Sequence, residues 1–467
     1  MRCFCVGSVC LEDLYKRIEF ISDDEIPYVD NEYEHIQGRR IRFYVKKKLA
    51  RLVKEDYAPL NEILLNAKKI KIVGVFDKHL LDLDFLQREF GLKKLEPLPP
   101  CEKRRESDLY IGKMEGPRIY RIDDKEYIVA VFPGREYLIH IASLIKTYLA
   151  LERKLQSVKL EVIRYPIAEK KVYYWTGISD LWKSIRISLH EWGINRYVLL
   201  LGHYVFLERL LDFLELDATY IYSDAEFENR LSQFDIFIDY RNAYAIIFFQ
   251  FRYYYWGNII GNLARGFYSN GVKYIIHIAN AGSIRNPNDI VLPFKTVVDL
   301  EFGDSAPEVF DFIYELPTLM KPNRLFWGIH IPLIYAYLDG DRLRISTTLN
   351  SIVTILSREG LIPPISSLHL CVRTPIEELY NPFVMLATYI GATSVDTEAF
   401  HIAEAANRLG GDFGSIYIAS DYVRKHHADV NITLANMSRE AKHRIYYLLF
   451  HEIAKNFFVP YIQTIFR

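Results

Sequence analysis

Little in this chain marks it for export, for a membrane or for a polyanion. Its opening residues have no charged n-region, apolar h-region or small-residue cleavage site, and Glu12 and Asp13 follow early, so nothing directs secretion. The most apolar stretch, 244–260, is broken by Gln250, Arg252 and Gly257 and falls short of a membrane span. Neither sign of charge is in excess: 58 Lys plus Arg face 59 Asp plus Glu, which leaves no overall field to draw in nucleic acid. Cysteine is scarce at five in 467 residues, and Cys3, Cys5 and Cys10 crowd the start without the spaced second pair that zinc requires. The expectation is a cytoplasmic chain with reduced thiols, no metal and no cofactor.

What is present is apolar and aromatic. Half of the residues are hydrophobic, with 34 Tyr and 28 Phe, the composition of a globular protein with a ring-rich interior. The length exceeds one compact domain, so the chain divides into a smaller N-terminal α/β or α+β domain over 1–165, a connecting segment over 166–195 and a larger domain over 196–467. In the first part, strand-like runs at 70–76, 127–132 and 160–165 accompany a basic helix at 39–54 and an amphipathic helix at 137–154. The cationic side chains of 39–54 have the spacing of a solvated helix face rather than of an RNA-binding surface.

In the larger domain strands alternate with helices. Strands are expected at 197–201, 218–222, 235–238, 245–249, 274–278, 290–292 and 416–419. Helices are expected at 178–192, 206–216, 256–270, 382–390 and 397–408, with Gly271, Gly391 and Gly410 at or past the ends of the last three. Such alternation implies an α/β fold with a central, mostly parallel or mixed sheet covered by helices on both sides.

Four segments occur in order: Tyr197-Val-Leu-Leu-Leu-Gly-His-Tyr-Val, Gly271-Val-Lys-Tyr-Ile-Ile-His-Ile-Ala-Asn-Ala-Gly-Ser, Gly391-Ala-Thr-Ser-Val-Asp-Thr-Glu-Ala-Phe and Ile416-Tyr-Ile-Ala-Ser-Asp. Together they resemble the signature segments of the purine nucleoside phosphorylase and nucleosidase superfamily, over the C-terminal part only. The resemblance implies a nucleoside phosphorylase-like fold, a purine nucleoside or nucleotide as small-molecule partner, and a homo-oligomer. It gives Glu398 the ribose 2′ and 3′ hydroxyls to hold and makes Asp421 the acid that protonates the leaving base. Cleaving an N-ribosidic bond builds positive charge on the sugar and negative charge on the base, so a gripping carboxylate and a proton donor are both required. By the same resemblance Gly202, His203, His277, Asn280, Gly282 and Thr397 fall at substrate-binding positions, and Arg373 falls where the family places a loop that contacts the base.

The departures from the family pattern gather at the phosphate. The arginines of the family's phosphorylases are replaced by Phe206 and His277, and Thr397 stands where the family has Met. Losing both guanidiniums removes the bidentate grip on phosphate. Hydrolysis, with water attacking the anomeric carbon, is therefore the expected activity. Two alternatives stay open: a catalytically inactive protein on this scaffold that binds a nucleotide or a protein partner, and a phosphorylase with an altered phosphate site.

Overall fold

The computed structural model describes residues 5–6, 9–29, 40–49, 60–75, 89–91, 96–98, 117–202, 209–223, 232–251, 256–284, 295–299, 327–332, 337–339, 342–344, 368–379, 387, 392–423 and scattered positions from 447 to 466. In the first part these form β1 (Glu19–Ile21), α1 (Arg40–Leu49), β2 (Lys69–Gly74), β3 (Glu96–Pro97), β4 (Arg118–Arg121), β5 (Glu126–Val131), α2 (Arg135–Leu151) and β6 (Lys159–Arg164). The strands make a six-stranded sheet in the order β1-β6-β2-β5-β4-β3, parallel at its centre and antiparallel at its edges. Parallel strands need a long crossover, and α2 supplies the one that carries the chain from β5 past β2 to β6.

The second part contains α3 (Ile178–Glu191), β7 (Arg196–Gly202), β8 (Ala218–Ser223), β9 (Ser232–Asp239), β10 (Tyr244–Phe251), α4 (Asn258–Ser269), β11 (Tyr274–Ser283), β12 (Lys295–Asp299), β13 (Trp327–Pro332), β14 (Leu368–Cys371), β15 (Ala392–Asp396), α5 (Ala399–Leu409) and β16 (Asp412–Tyr422). Its ten-stranded mixed sheet runs β8-β9-β10-β7-β11-β15-β14-β12, with β16 pairing β11 and β13. Every residue of β9 and β10 is buried, the pattern of strands covered on both faces. Phe248, Phe249 and Phe251 are therefore interior to this sheet. The expected strand at 290–292 and all but Ala387 of the expected helix at 382–390 lie outside the described residues.

The helix expected to be amphipathic differs from that reading: from Glu136 to Leu151 each residue of α2 is buried. The reason is that α2 has no solvent side. One flank packs on the first sheet, and its N-terminal turns meet the second part, where the rings of Tyr137 and His140 lie against Trp256 at 5.4 and 4.4 Å between centroids. Charged groups on and beside it are met within the chain. Lys146 Nζ donates to the carbonyls of Asp23 and Ile26 at 2.6 and 3.2 Å, and Arg42 of α1 donates to Glu152 just past the helix end at 2.7 Å. One hydrophobic cluster runs from Leu14 through both sheets to Tyr417, with Trp175 and Trp182 of the connecting segment buried in it.

Candidate functional site

β7, β11 and β16 run parallel and end at the same edge of the large sheet, the edge at which open α/β sheets receive ligands. β7 stops at Gly202, whose backbone crowds β11 so closely that a Cβ there would lie 1.8 Å from the Ile278 carbonyl oxygen. β11 continues past it, and β15 takes over the vacated side: Gly282 is registered opposite Val395 on one flank and opposite Asp421 on the other. The register slips by one residue between Ala281 and Gly282, a bulge of the kind that re-aims a strand end. Space around Gly282 is tight. A Cβ would lie 2.8 Å from Val423 Cγ2, 3.1 Å from Val395 Cγ1 and 3.2 Å from Glu378 Oε2, so protein side chains alone already require glycine there.

Beside this bulge lies a buried polar cluster. Asp396, the last residue of β15, accepts the amides of Glu398 and Ala399 at 3.1 Å and so caps the start of α5. His369 of β14 stands behind it with Nε2 3.1 Å from Asp396 Oδ1, near enough for an ion pair but not aligned as a hydrogen bond. The other ring nitrogen of His369 is 2.7 Å from Ser394 Oγ, and its ring stacks on Tyr417 at 4.4 Å with the planes 6° apart. His277 completes the group, with Nδ1 3.4 Å from the Tyr417 hydroxyl. Glu398 turns its carboxylate back on its own chain, accepting the Thr397 amide at 3.1 Å and the Thr397 hydroxyl at 2.7 Å.

The two carboxyl groups of this turn are driven apart. Burial raises both in principle. For Asp396 it is more than offset by His369, by the further charge available at His277 and by the amide of Ala399, so the carboxyl is held below its ordinary value. For Glu398, burial and the adjacent negative charge of Asp396 outweigh the bonds from Thr397 and push it up to about 8. One carboxyl is thus ionised while its neighbour keeps a proton near neutrality, the separation of roles that acid–base chemistry uses. Burial, followed by the charge of Asp396, also raises the Tyr417 hydroxyl well above its usual range.

Of the residues singled out in the sequence, the structure brings Gly282, Thr397, Glu398 and His277 into this region, and the backbone of Asp421 lies alongside Gly282. Asn280 sits on β11 opposite Ile418, two residues before Gly282, and Gly202 lies at the end of the neighbouring strand. Arg373 is buried and engaged within the chain: it donates twice to Glu377 Oε1 at 2.9 and 2.6 Å and once to the Glu25 carbonyl at 3.4 Å. His203 and Phe206 lie outside the described residues. Sequence reasoning missed His369, Asp396, Ser394 and Tyr417. The alternation Leu-His-Leu-Cys and the spacing Asp-x-Glu were their only signals. Among the described residues no group of three His, Cys, Asp or Glu side chains is arranged to hold a metal ion, and no helix is long and apolar enough to cross a membrane.

No protein-family model matches the chain, and no curated protein matches it. Among solved structures, futalosine hydrolase of Helicobacter pylori strain 26695 aligns with 58% of this chain and 99% of its own, at 12% identity and a TM-score of 0.34. Helicobacter pylori MTAN aligns with 58% of this chain and 100% of its own, at 14% identity and the same TM-score of 0.34. A methylthioadenosine phosphorylase sourced from an antarctic soil metagenomic library aligns with 58% of this chain and 86% of its own, at 10% identity and 0.33. Likeness at this level transfers no residue role to this chain.

Proposed function

We propose that the chain is a purine nucleoside or nucleotide N-ribosyl hydrolase of the nucleoside phosphorylase type. In this reading water attacks the anomeric carbon, Glu398 holds the ribose hydroxyls and Asp421 protonates the departing base. The observation that carries it is the register about Gly282, which sets Asp421 on one flank and the strand leading to Glu398 on the other, at the ligand-receiving edge of the sheet. The state of Glu398 fits a ligand that donates hydrogen bonds. A carboxyl resting near a pKa of about 8 is largely protonated at pH 7, and hydroxyl donors favour its ionised form, so ribose binding at neutral pH releases a proton. Thr397 presently occupies both oxygens of Glu398, and those are the bonds a ribose diol would exchange for its own. The same occupancy favours a second reading, in which Glu398 only caps its own turn and the scaffold binds a nucleotide or a protein without turnover.

The deciding experiment offers a panel of purine nucleosides and nucleotides to the full chain and follows base release by chromatography, with and without phosphate. Base and free sugar are expected, unstimulated by phosphate. Glu398→Gln is expected to lower turnover more than binding, since charge-assisted bonds to the sugar strengthen in the transition state. Asp421→Asn is expected to lose roughly two to four orders of magnitude. Formation of ribose 1-phosphate overturns hydrolysis. No release from any substrate, with both variants losing thermal stability, makes the two carboxylates structural and leaves the scaffold reading. We further propose that the chain self-associates, as light scattering checks, and works in the cytoplasm.

A further inference from the structure

The helix α2 belongs to the N-terminal part, yet its first two turns touch the segments that frame Glu398. Asp396 and Thr397 are the two residues ahead of that carboxylate, and the carbonyl of each is held by an amide from elsewhere. Val372 donates to Asp396 at 2.8 Å, and Gly257 donates to Thr397 at 3.0 Å. Both donors sit on segments that rest on α2. Next to Gly257, the Asn258 amide donates to Glu136 Oε2 at 2.7 Å, and Asn258 Oδ1 accepts the Arg135 amide at 3.1 Å. Near Val372, Thr374 Oγ1 lies 3.0 Å from His140 Nδ1. The ring of Trp256 packs on His140 and Tyr137 and joins the two routes.

We propose that the N-terminal part is a positioning element for the Glu398 carboxylate, acting from Glu136 through the 256–258 turn to Thr397 and from His140 through the 372–374 loop to Asp396. Glu136 and His140 are positioning residues in this scheme. Gly257 makes the first route possible. Its φ of +54° suits glycine, and a Cβ there would lie 2.4 Å from Glu136 Cβ, Cγ and Oε2, so any side chain would push the turn off the helix. Glu136 itself is 2% exposed; its Oε1 lies 3.7 Å from Arg135 Nη1, and its Oε2 fixes the Asn258 amide with a charge-assisted bond. The consequence reaches Glu398 because its carboxylate accepts, among the described residues, the amide and hydroxyl of Thr397, the residue whose carbonyl Gly257 holds. When the turn lets go, Thr397 and the carboxylate move together and water enters. The titratable groups around them include Asp396 on the same turn, His369 and Cys371 of β14, His277 of β11, Tyr417 of β16 and Glu378 beside Gly282.

The inference concerns where a carboxylate is held, so its test does not depend on the proposed reaction. Stability of the full chain is measured across pH for the parent and for Glu398→Gln, and the difference between the two curves reports the Glu398 midpoint. The pair is repeated in Glu136→Ala, which removes the acceptor, and in Glu136→Gln, which keeps one. Glu136→Ala is expected to lower the midpoint by about one pH unit or more. It should also speed amide exchange at 397–400 by about tenfold, whereas Glu136→Gln should resemble the parent in both. If Glu136→Ala proves unfolded, His140→Phe carries the same measurements through the second route. A variant that lowers stability but leaves both the midpoint and the exchange at 397–400 unchanged overturns the proposal and makes the contact simply structural.

Discussion

Two buried polar networks lie on either side of the 256–258 turn, and they are built on opposite plans. At the junction of the two sheets, Glu169 receives Arg164 twice at 3.2 and 2.6 Å, accepts Asn258 at 2.7 Å and has its carbonyl held by Asn262 at 2.9 Å. None of these buried atoms lacks a partner. Around β14 and β15, by contrast, His369 Nε2 lies 3.1 Å from Asp396 without an aligned hydrogen bond, and Glu398 shares a turn with a second carboxyl and, among the described residues, pairs with no cation. A network whose job is cohesion matches each charge with its opposite, whereas one that must bind or donate keeps a group in reserve.

The comparison is broken most forcefully at Arg164. Arg164→Met leaves Glu169 buried without its cation and is expected to cost about 3–5 kcal/mol in urea denaturation while leaving the Glu398 midpoint in place. Next comes Glu398→Gln. A carboxyl raised from 4.5 to about 8 in the folded chain binds its proton more tightly there than when unfolded, so it favours the fold at low pH. That contribution is lost as pH climbs from the unfolded value through 8. Relative to the parent, Glu398→Gln is therefore expected to gain roughly a few kcal/mol of stability over this window and to change no further above it. A flat difference would show that Glu398 is an ordinary surface acid.

Asp396→Asn sharpens the contrast within the site. It removes the neighbouring negative charge but keeps an oxygen for the amides of Glu398 and Ala399, so the Glu398 midpoint should fall by about one unit with little loss of stability. The smallest effect is expected at the surface of the first part. Arg42→Met removes the pair with the half-buried Glu152, which Lys46 also approaches at 3.2 Å, and should cost under about 1 kcal/mol.

How legible the two networks are in the sequence follows from how local they are. The strands of both sheets announce themselves as apolar runs such as Tyr197-Val-Leu-Leu-Leu, and Gly271 and Gly410 mark the ends of α4 and α5 through positive φ. Thr397 and Glu398 could be placed because they lie within one short segment with a recognisable order. His369 could not: it meets Asp396 only because β14 and β15 pair in parallel with a register shift, which no local spacing encodes. The same holds for Glu136, whose acidity in a first helical turn reads as a dipole effect until Asn258, more than a hundred residues away, is brought onto it. Arg373 reads in the sequence as a loop residue placed to contact the base, and its pairing with Glu377 is visible only in the fold.

The all-round burial of α2 also has a cost in time. Its apolar surface is complete once Leu151 has been made, but the ring of Trp256 that covers its first turns comes about a hundred residues later. At a synthesis rate of about 5–20 residues per second, that face waits roughly 5 to 20 s on the ribosome for the ring that covers it. A nascent segment of this kind is where a holdase chaperone would be found, and truncations ending shortly before Trp256 should be the ones that aggregate.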